Sequence, residues 1–247
     1  MDFDNVIASE ITFKEELKAS DESVVFLVEV RGQTCVMKVF RDEGSIHWTP
    51  PNREIDPYIC ESTAYRRLKE CGLCDKRIVP HFYGTLERPD VQRFRSHLKM
   101  FLEDKYALSA IFLEYIPGVQ MIFPHHYTKE RLENFINGIQ EIHKAMVLHL
   151  DARPRNMMII EDDPERAIWL GFDRAQTYCA PQLGEWTRSG LKNEEQVARE
   201  IGELLASDCC GTRDCNWMLF EANSIISWQE ADCTTGEIDK AYLLYCS

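Results

Sequence analysis

A chain of 247 residues with 45% hydrophobic and 11% aromatic side chains can bury a substantial core. That excludes a disordered protein and suits one large domain or two small lobes sharing a cleft. The net charge of −13 argues against non-specific binding to nucleic acid or an anionic membrane, since both demand a basic surface.

No window reaches the roughly 20 apolar residues of a membrane span. The acidic start "MDFDNVIASE" lacks the basic flank and apolar run of a signal peptide. Cytoplasm or nucleus is the expected compartment, not secretion, and the ten cysteines are expected as reduced thiols.

"ITFKEELKAS" (11–20) is compatible with a first strand or a short helix. "SVVFLVEV" (23–30), "RGQ" and "TCVMKVF" (34–40) read as a β-hairpin, two β-branched and aromatic runs around a glycine-containing turn. Residues 42–58 form a loop, in which Pro50, Pro51 and Pro57 oppose regular structure. "ICESTAYRRLKECG" (59–72) reads as a helix, with Ala64, Leu68 and Cys71 at helical spacing and Gly72 as its stop.

"CGLC" (71–74) and "CCGTRDC" (209–215) are the cysteine clusters that raise the question of metal. A zinc site wants four convergent ligands as two spaced pairs, and one CxxC beside an irregular triplet falls short. These thiols are read as small core residues.

"VPHFYGTLE" (79–87) and "SAIFLEYIPG" (109–118) are further strands, the second ended by Pro117 and Gly118. Leu132, Phe135, Ile136, Ile139, Ile142 and Met146 mark a long amphipathic helix over 128–147. "NMMII" (156–160) and "AIWLGF" (167–172) are short strands around the acidic turn "EDDPER", and "EEQVAREIGELLA" (194–206) is the last clear helix. The expected class is α+β in two lobes, a small β-rich N-lobe over 1–116 and a trimmed, mostly helical C-lobe over 117–247, within a single domain. Ligands usually bind in the cleft of such a pair.

Lys38 stands mid-strand among apolar residues, an expensive place for an unpartnered charge. Glu61, on the helix after the proline-rich loop, is its candidate partner; the alternative is a lysine snorkelling from an edge strand. "HLDARPRN" (149–156) places His149, Asp151 and Asn156 at the H-x-D-x-x-x-x-N spacing of a kinase catalytic loop. Alone, these residues would suit a turn. Here they follow a long amphipathic helix and precede two short apolar strands, the context such a loop requires.

On these residues the sequence resembles the protein-kinase-like superfamily. It is most similar to compact fungal kinase-like proteins carrying H-x-D-x-R-P-R-N and W-I-D-F-D-R-A-Q motifs. Lys38, "CESTAY", "VPHFYG", "FLEYIPG", "HLDARPRN" and "FDRAQT" occur in the right order between about residues 23 and 178.

The resemblance implies ATP and Mg²⁺ as cofactors. Lys38 would hold the α- and β-phosphates and Glu61 would pair with it. The backbone from Glu114 to Ile116 would meet adenine. Asp151 would be the base that orients an acceptor hydroxyl, Arg153 would touch the transferred phosphate, and Asn156 would be a metal ligand. His149 would brace the loop.

Two features depart from that pattern. Aligning Phe172 with the phenylalanine of the metal motif puts Gly171, which has no side-chain oxygen, where the main magnesium carboxylate is expected. Asp173 then has two readings. It is the second aspartate of the D-F-D pattern beside a surface Arg174, the reading preferred on sequence, or a substitute metal ligand on the same side as residue 171 of an extended segment. The loop "KASDES" (18–23) lacks the glycines that let backbone approach phosphate, and Asp21 and Glu22 add negative charge there.

Only about 70 residues follow Tyr178, which favours a small-molecule or protein partner over a peptide platform. Three functions are therefore expected in turn: a degenerate, pseudokinase-like protein with a ligand-binding or regulatory cleft; an atypical ATP-dependent phosphotransferase; and a kinase fold recruited to other small-molecule chemistry through Asp151 or His149.

Overall fold

The structure is a computed structural model that describes residues 2–3, 5–41, 53–89, 91–160, 162–179 and 184–209. It is a mixed α/β arrangement. Strands β1 (Ile11–Ala19), β2 (Ser23–Val30) and β3 (Gln33–Phe40) come first, then helix α1 (Pro57–Glu70), then β4 (Phe82–Glu87) and β5 (Ser109–Glu114). These five strands form one antiparallel sheet in the order β1-β2-β3-β5-β4.

The ambiguous 11–20 segment is a strand, because it extends the apolar β2 edge through a bulged ladder. The hairpin turn is tighter than "RGQ": Arg31 and Gly32 both take positive φ, and Gln33 already pairs with Val30.

β3 shows how the sheet is used. Cys35, Met37 and Val39 face one buried cluster with Phe26 and Phe112, while Val36 and Phe40 face the other, with Ala64, Tyr65 and Leu68 of α1. Period-two alternation puts Lys38 on the face toward α1. The opposite face is closed by the segment between β4 and β5, whose short 3-10 turns at Val91–Phe94 and Lys99–Phe101 bury Phe94, Leu98 and Phe101. Burial of this kind is worth about 1.5–3 kcal/mol per side chain. Arg41 anchors the cover through Asp104 (2.9 Å) and the Met100 carbonyl (3.1 Å).

Pro57 does not break α1; it occupies its first turn, where its missing N–H costs nothing. Asp56 caps the helix by accepting from the Ile59 N–H (3.0 Å). The inward stripe Cys60, Glu61, Ala64, Tyr65 and Leu68 carries Glu61 toward β3.

The remainder contains β6 (Val119–Met121), α2 (Lys129–Lys144), β7 (Val147–Leu148), β8 (Met157–Ile160), β9 (Asp163–Trp169), β10 (Gln176–Thr177) and α3 (Glu185–Cys209). β6, β8 and β9 form a three-stranded sheet. β9 already begins at Asp163, inside the expected acidic turn, because Ile160 pairs directly with Asp163.

Thr128 caps α2, whose Phe135, Ile136, Ile139 and Ile142 are buried as the periodicity predicts. Met146 lies beyond the helix at φ +62°. α3 starts earlier and runs further than 194–206 and packs Ala198, Ile201 and Leu205 into the core.

The pairing of β7 with β10 is what positions a site, because it lays the 149–156 loop beside residues 170–175. Among the cysteines, Cys71 is exposed and Cys74 is buried. The described residues contain no group of three or more His, Cys, Asp or Glu side chains able to hold a metal. Residues 210–247, with Cys210 and Cys215, lie outside the described residues. No described helix is long and apolar enough to cross a membrane.

Candidate functional site

Lys38, Glu61 and Asp173 meet on the α1 side of the large sheet. The Lys38 Nζ lies 2.8 Å from Glu61 Oε2 and 3.4 Å from Asp173 Oδ2, and 5.0 Å from the centre of the Phe40 ring. Lys38 is 1% exposed, so it does not snorkel. Burial opposes its charge, but the Glu61 and Asp173 carboxylates more than offset that and hold the ammonium above the ordinary lysine range. Burial, reinforced by Asp173, pushes Glu61 above the ordinary carboxylate range against the attraction of Lys38.

The structure adds to the preferred sequence reading of Asp173, which places Arg174 at the surface. Arg174 points to solvent, whereas Asp173 is buried and turned to Lys38. The alternation used to place it does not hold, because Gly171 has φ +71° and the segment is not extended. A turn at 173–174, held by Phe172 packed on Tyr65 (5.1 Å) and His149 (4.6 Å), brings Asp173 inward. The left-handed backbone at 171 is one that glycine adopts without strain.

The 149–156 loop is pinned from several sides. His149 is fully buried; its Nε2 donates to the Leu170 carbonyl (2.7 Å) and its Nδ1 accepts from the Asp151 N–H (3.3 Å). A carbonyl can only accept, which places the ring hydrogen on Nε2. Both ring nitrogens are engaged by backbone groups of the loop and of residue 170.

Glu194 of α3, unremarked in the sequence, is buried and receives the His149 N–H (3.1 Å), the Leu150 N–H and the His143 Nε2 (2.8 Å). It holds a backbone that passes through φ +61° at Leu150. Gln176 performs a similar service for the approach to α1, donating to the Glu54 carbonyl (2.8 Å) and accepting from its N–H (3.0 Å).

Asn156 is fully buried. Its Nδ2 donates to the Asp151 carbonyl (2.8 Å) and to Asp151 Oδ2 (2.7 Å), while its Oδ1 has no hydrogen-bond partner. An unsatisfied buried acceptor costs about 1–3 kcal/mol, so the oxygen is set for something else. Asp151 also accepts from Arg155, which sequence reasoning passed over: Nε to Oδ2 at 3.1 Å and Nη2 to Oδ1 and Oδ2 at 2.9 and 2.8 Å. Arg153 Nε lies 3.3 Å from Asp151 Oδ1. The i, i+4 spacing of Asp151 and Arg155 was the available signal.

Glu114 ends β5. Its N–H donates to the His81 carbonyl (2.8 Å), and its carboxylate accepts from the His81 N–H (3.0 Å) and lies 3.4 Å from Arg166 Nη2. Ile116 is buried, and its N–H has no backbone partner among the described residues. Lys38, Glu61 and Asp173 thus make one cluster, Asp151, Arg153 and Asn156 a second, and Glu114 with Ile116 the strand end.

No family model matches this chain, and no curated protein matches it. Among solved structures, it is similar to the autoinhibited serine kinase domain of the giant muscle protein titin, with a TM-score of 0.46 and 11% sequence identity. The match covers 69% of this chain and 47% of that one, so this chain spans about half the length of the structure it matches. Likeness at that level carries no residue across. The arrangement is mixed α/β, and the reading of the site rests on its own geometry.

Proposed function

We propose that the chain is a bilobal kinase-like protein, of the compact kind seen among fungal sequences, whose cleft binds ATP with Mg²⁺ and transfers a phosphoryl group to a hydroxyl acceptor. The observation that carries this reading is Lys38 held between Glu61 and Asp173. Phosphoryl transfer asks a protein for positioning and charge neutralisation, and a buried lysine gripped by one carboxylate and touched by a second supplies the phosphate clamp.

The residues fit a magnesium ion in kind. Asn156 offers a buried oxygen with no partner, Asp173 offers a carboxylate, and Mg²⁺ prefers few protein ligands. When bound, the ion neutralises phosphate charge. Lys38 would bind the phosphates, Glu61 would keep it aimed, and the Ile116 N–H and Glu114 carbonyl would face adenine. Arg153 would stand by the transferred group and Asp151 would orient the acceptor hydroxyl.

A second reading, a pseudokinase-like regulatory cleft that binds without turnover, draws support from Gly171 in the metal position and from the guanidinium on Asp151.

Thermal unfolding with ATP, with and without Mg²⁺ or Mn²⁺, tests the proposal, since a ligand that binds only the folded state raises the melting temperature by mass action. The expected result is a metal-dependent rise that Asp173→Asn and Lys38→Met abolish, with ADP released when an acceptor is present. A rise without any ADP under a broad acceptor panel selects the regulatory reading. No rise at millimolar nucleotide overturns the phosphotransferase reading.

A further inference from the structure

The Asp151 carboxylate is crowded by two guanidiniums and an amide. A carboxylate offers about four lone-pair sites. Here Oδ2 takes the Arg155 Nε (3.1 Å) and Nη2 (2.8 Å) and the Asn156 Nδ2 (2.7 Å), and Oδ1 takes the Arg155 Nη2 (2.9 Å) and faces the Arg153 Nε (3.3 Å). A hydroxyl group reaches this carboxylate by displacing a guanidinium, and Arg155, which makes three of its four hydrogen bonds and touches both oxygens, is the one that crowds it most.

Leaving is unfavourable for a neutral substrate. The Arg155 side chain is 16% exposed and Asp151 5%, so the guanidinium would give up a desolvated counter-ion and recover only partial hydration. An acceptor with its own oxyanion replaces what Arg155 loses, because a planar fork suits carboxylate and phosphate alike.

Spare donors are already in place. Arg153 uses only its Nε and Arg155 only its Nε and Nη2, so the other terminal nitrogens have no partner among the described residues. Two guanidiniums against one carboxylate leave a local charge of +1 on a chain of net charge −13. The backbone beneath them is fixed by the 3-10 turn Pro154–Asn156, with Pro154 and Asn156 buried, so exchange of partners needs side-chain rotation alone.

We infer that Arg155, assisted by Arg153, is an oxyanion receptor beside Asp151, and that the acceptor is a small hydroxy compound bearing a phosphate or carboxylate, whose arrival draws Arg155 away and opens Asp151 to the hydroxyl. This names the substrate class for the proposed phosphotransfer site and rests on that reading for its role, though not for its binding.

The test is calorimetric titration of the full chain, without nucleotide or metal, with glycerol 3-phosphate, glycerate and glycerol at constant ionic strength. At least one of the two oxyanions is expected to bind and glycerol is not; which one binds identifies the source of the anion. Arg155→Gln is expected to weaken that binding at least tenfold at a temperature where it is folded, and to unfold at lower urea than wild type because Asp151 loses its counter-ion. Arg155→Lys, which keeps the charge and loses the fork, is expected to weaken it several-fold, and it decides the matter where Arg155→Gln does not fold.

Equal binding of glycerol, no binding of either oxyanion, or undiminished affinity in the Arg155 variants overturns the inference. Because no nucleotide is present, failure of the ATP reading leaves this result standing. Failure here leaves the ATP-dependent thermal shift standing.

Discussion

Replacing Lys38 by methionine keeps the length of the side chain and removes its charge from between Glu61 and Asp173. Both carboxylates are buried, Glu61 almost completely, so the change leaves negative charge without its counter-ion in the interior. Breaking a buried pair in this way costs about 3–5 kcal/mol, which is a large share of the roughly 5–15 kcal/mol that holds a domain together.

The cost depends on pH, because Glu61 can escape it by taking up a proton. Its folded pKa is already above the ordinary value through burial and Asp173, and loss of Lys38 raises it further. A carboxyl with a raised folded pKa contributes stability below its unfolded value, about 4.3, and loses it as pH rises through the folded value. The variant should therefore lie close to wild type in mild acid and fall behind with rising pH, by up to about 1.4 kcal/mol per unit for one proton. Urea unfolding of both proteins from about pH 5 to about pH 8 measures this, provided the slopes agree. Adding Glu61→Gln should flatten the pH dependence and restore part of the loss. A pH-independent difference below about 1 kcal/mol would refute the buried ion cluster as described.

In the wild type the sign is the reverse of the usual acid case. The raised Lys38 stabilises the fold throughout the neutral range, and titration in alkali should show that contribution lost only above the ordinary lysine pKa of about 10.4. Gly171→Ala should destabilise by about 1 kcal/mol or more in urea unfolding, because φ is +71° there, and Gly171→Asn should cost less than alanine. Glu194→Ala should cost about 1.5–3 kcal/mol by leaving the His149 and Leu150 N–H groups unmet; limited proteolysis should then cut near 149–153, and an uncut loop would count against the clamp. Burial pushes the Cys35 and Cys60 thiols up to about 12. Peptide mapping after brief alkylation of the native protein near neutral pH should find Cys71 and Cys179 labelled well ahead of these two.

The legible parts of this chain are those in which local pattern and tertiary role coincide. The 23–40 hairpin, the Glu61 face of α1, the 128–147 amphipathic run and the spacing of His149, Asp151 and Asn156 all follow from period and motif alone. Position 173 was legible only in part. Strand alternation is the wrong rule beside a residue at φ +71°, and only Phe172, wedged against Tyr65 and His149, decides where the next carboxylate points.

Glu194 carries no local signal, since it meets the loop from 45 residues away. The cover over the outer sheet face carries no sequence signal because its apolar residues, Phe94 and Phe101 on short 3-10 turns and Leu98 between them, show no sustained period. Pro57 misled because the same missing N–H that breaks a helix interior is harmless in its first turn.

The two clusters of the site are held in place by opposite means, and that difference bears on function. Lys38 and Glu61 sit on regular elements, β3 and α1, with their directions fixed by alternation and by the helical stripe. Asp151, Arg153 and Arg155 sit on a loop whose backbone is pinned by Glu194, His149 and Asn156 but whose charged side chains hold one another. The proposed phosphate clamp would benefit from the first arrangement, because ATP would offer the same groups at each turnover and preorganisation costs nothing on binding. An acceptor pocket benefits from the second. The ion pair keeps a buried carboxylate compensated while the pocket waits, and it yields only to a ligand bringing equivalent charge. Selectivity would then come from the cost of separating Asp151 and Arg155, which neutral hydroxyl compounds, water among them, cannot offset.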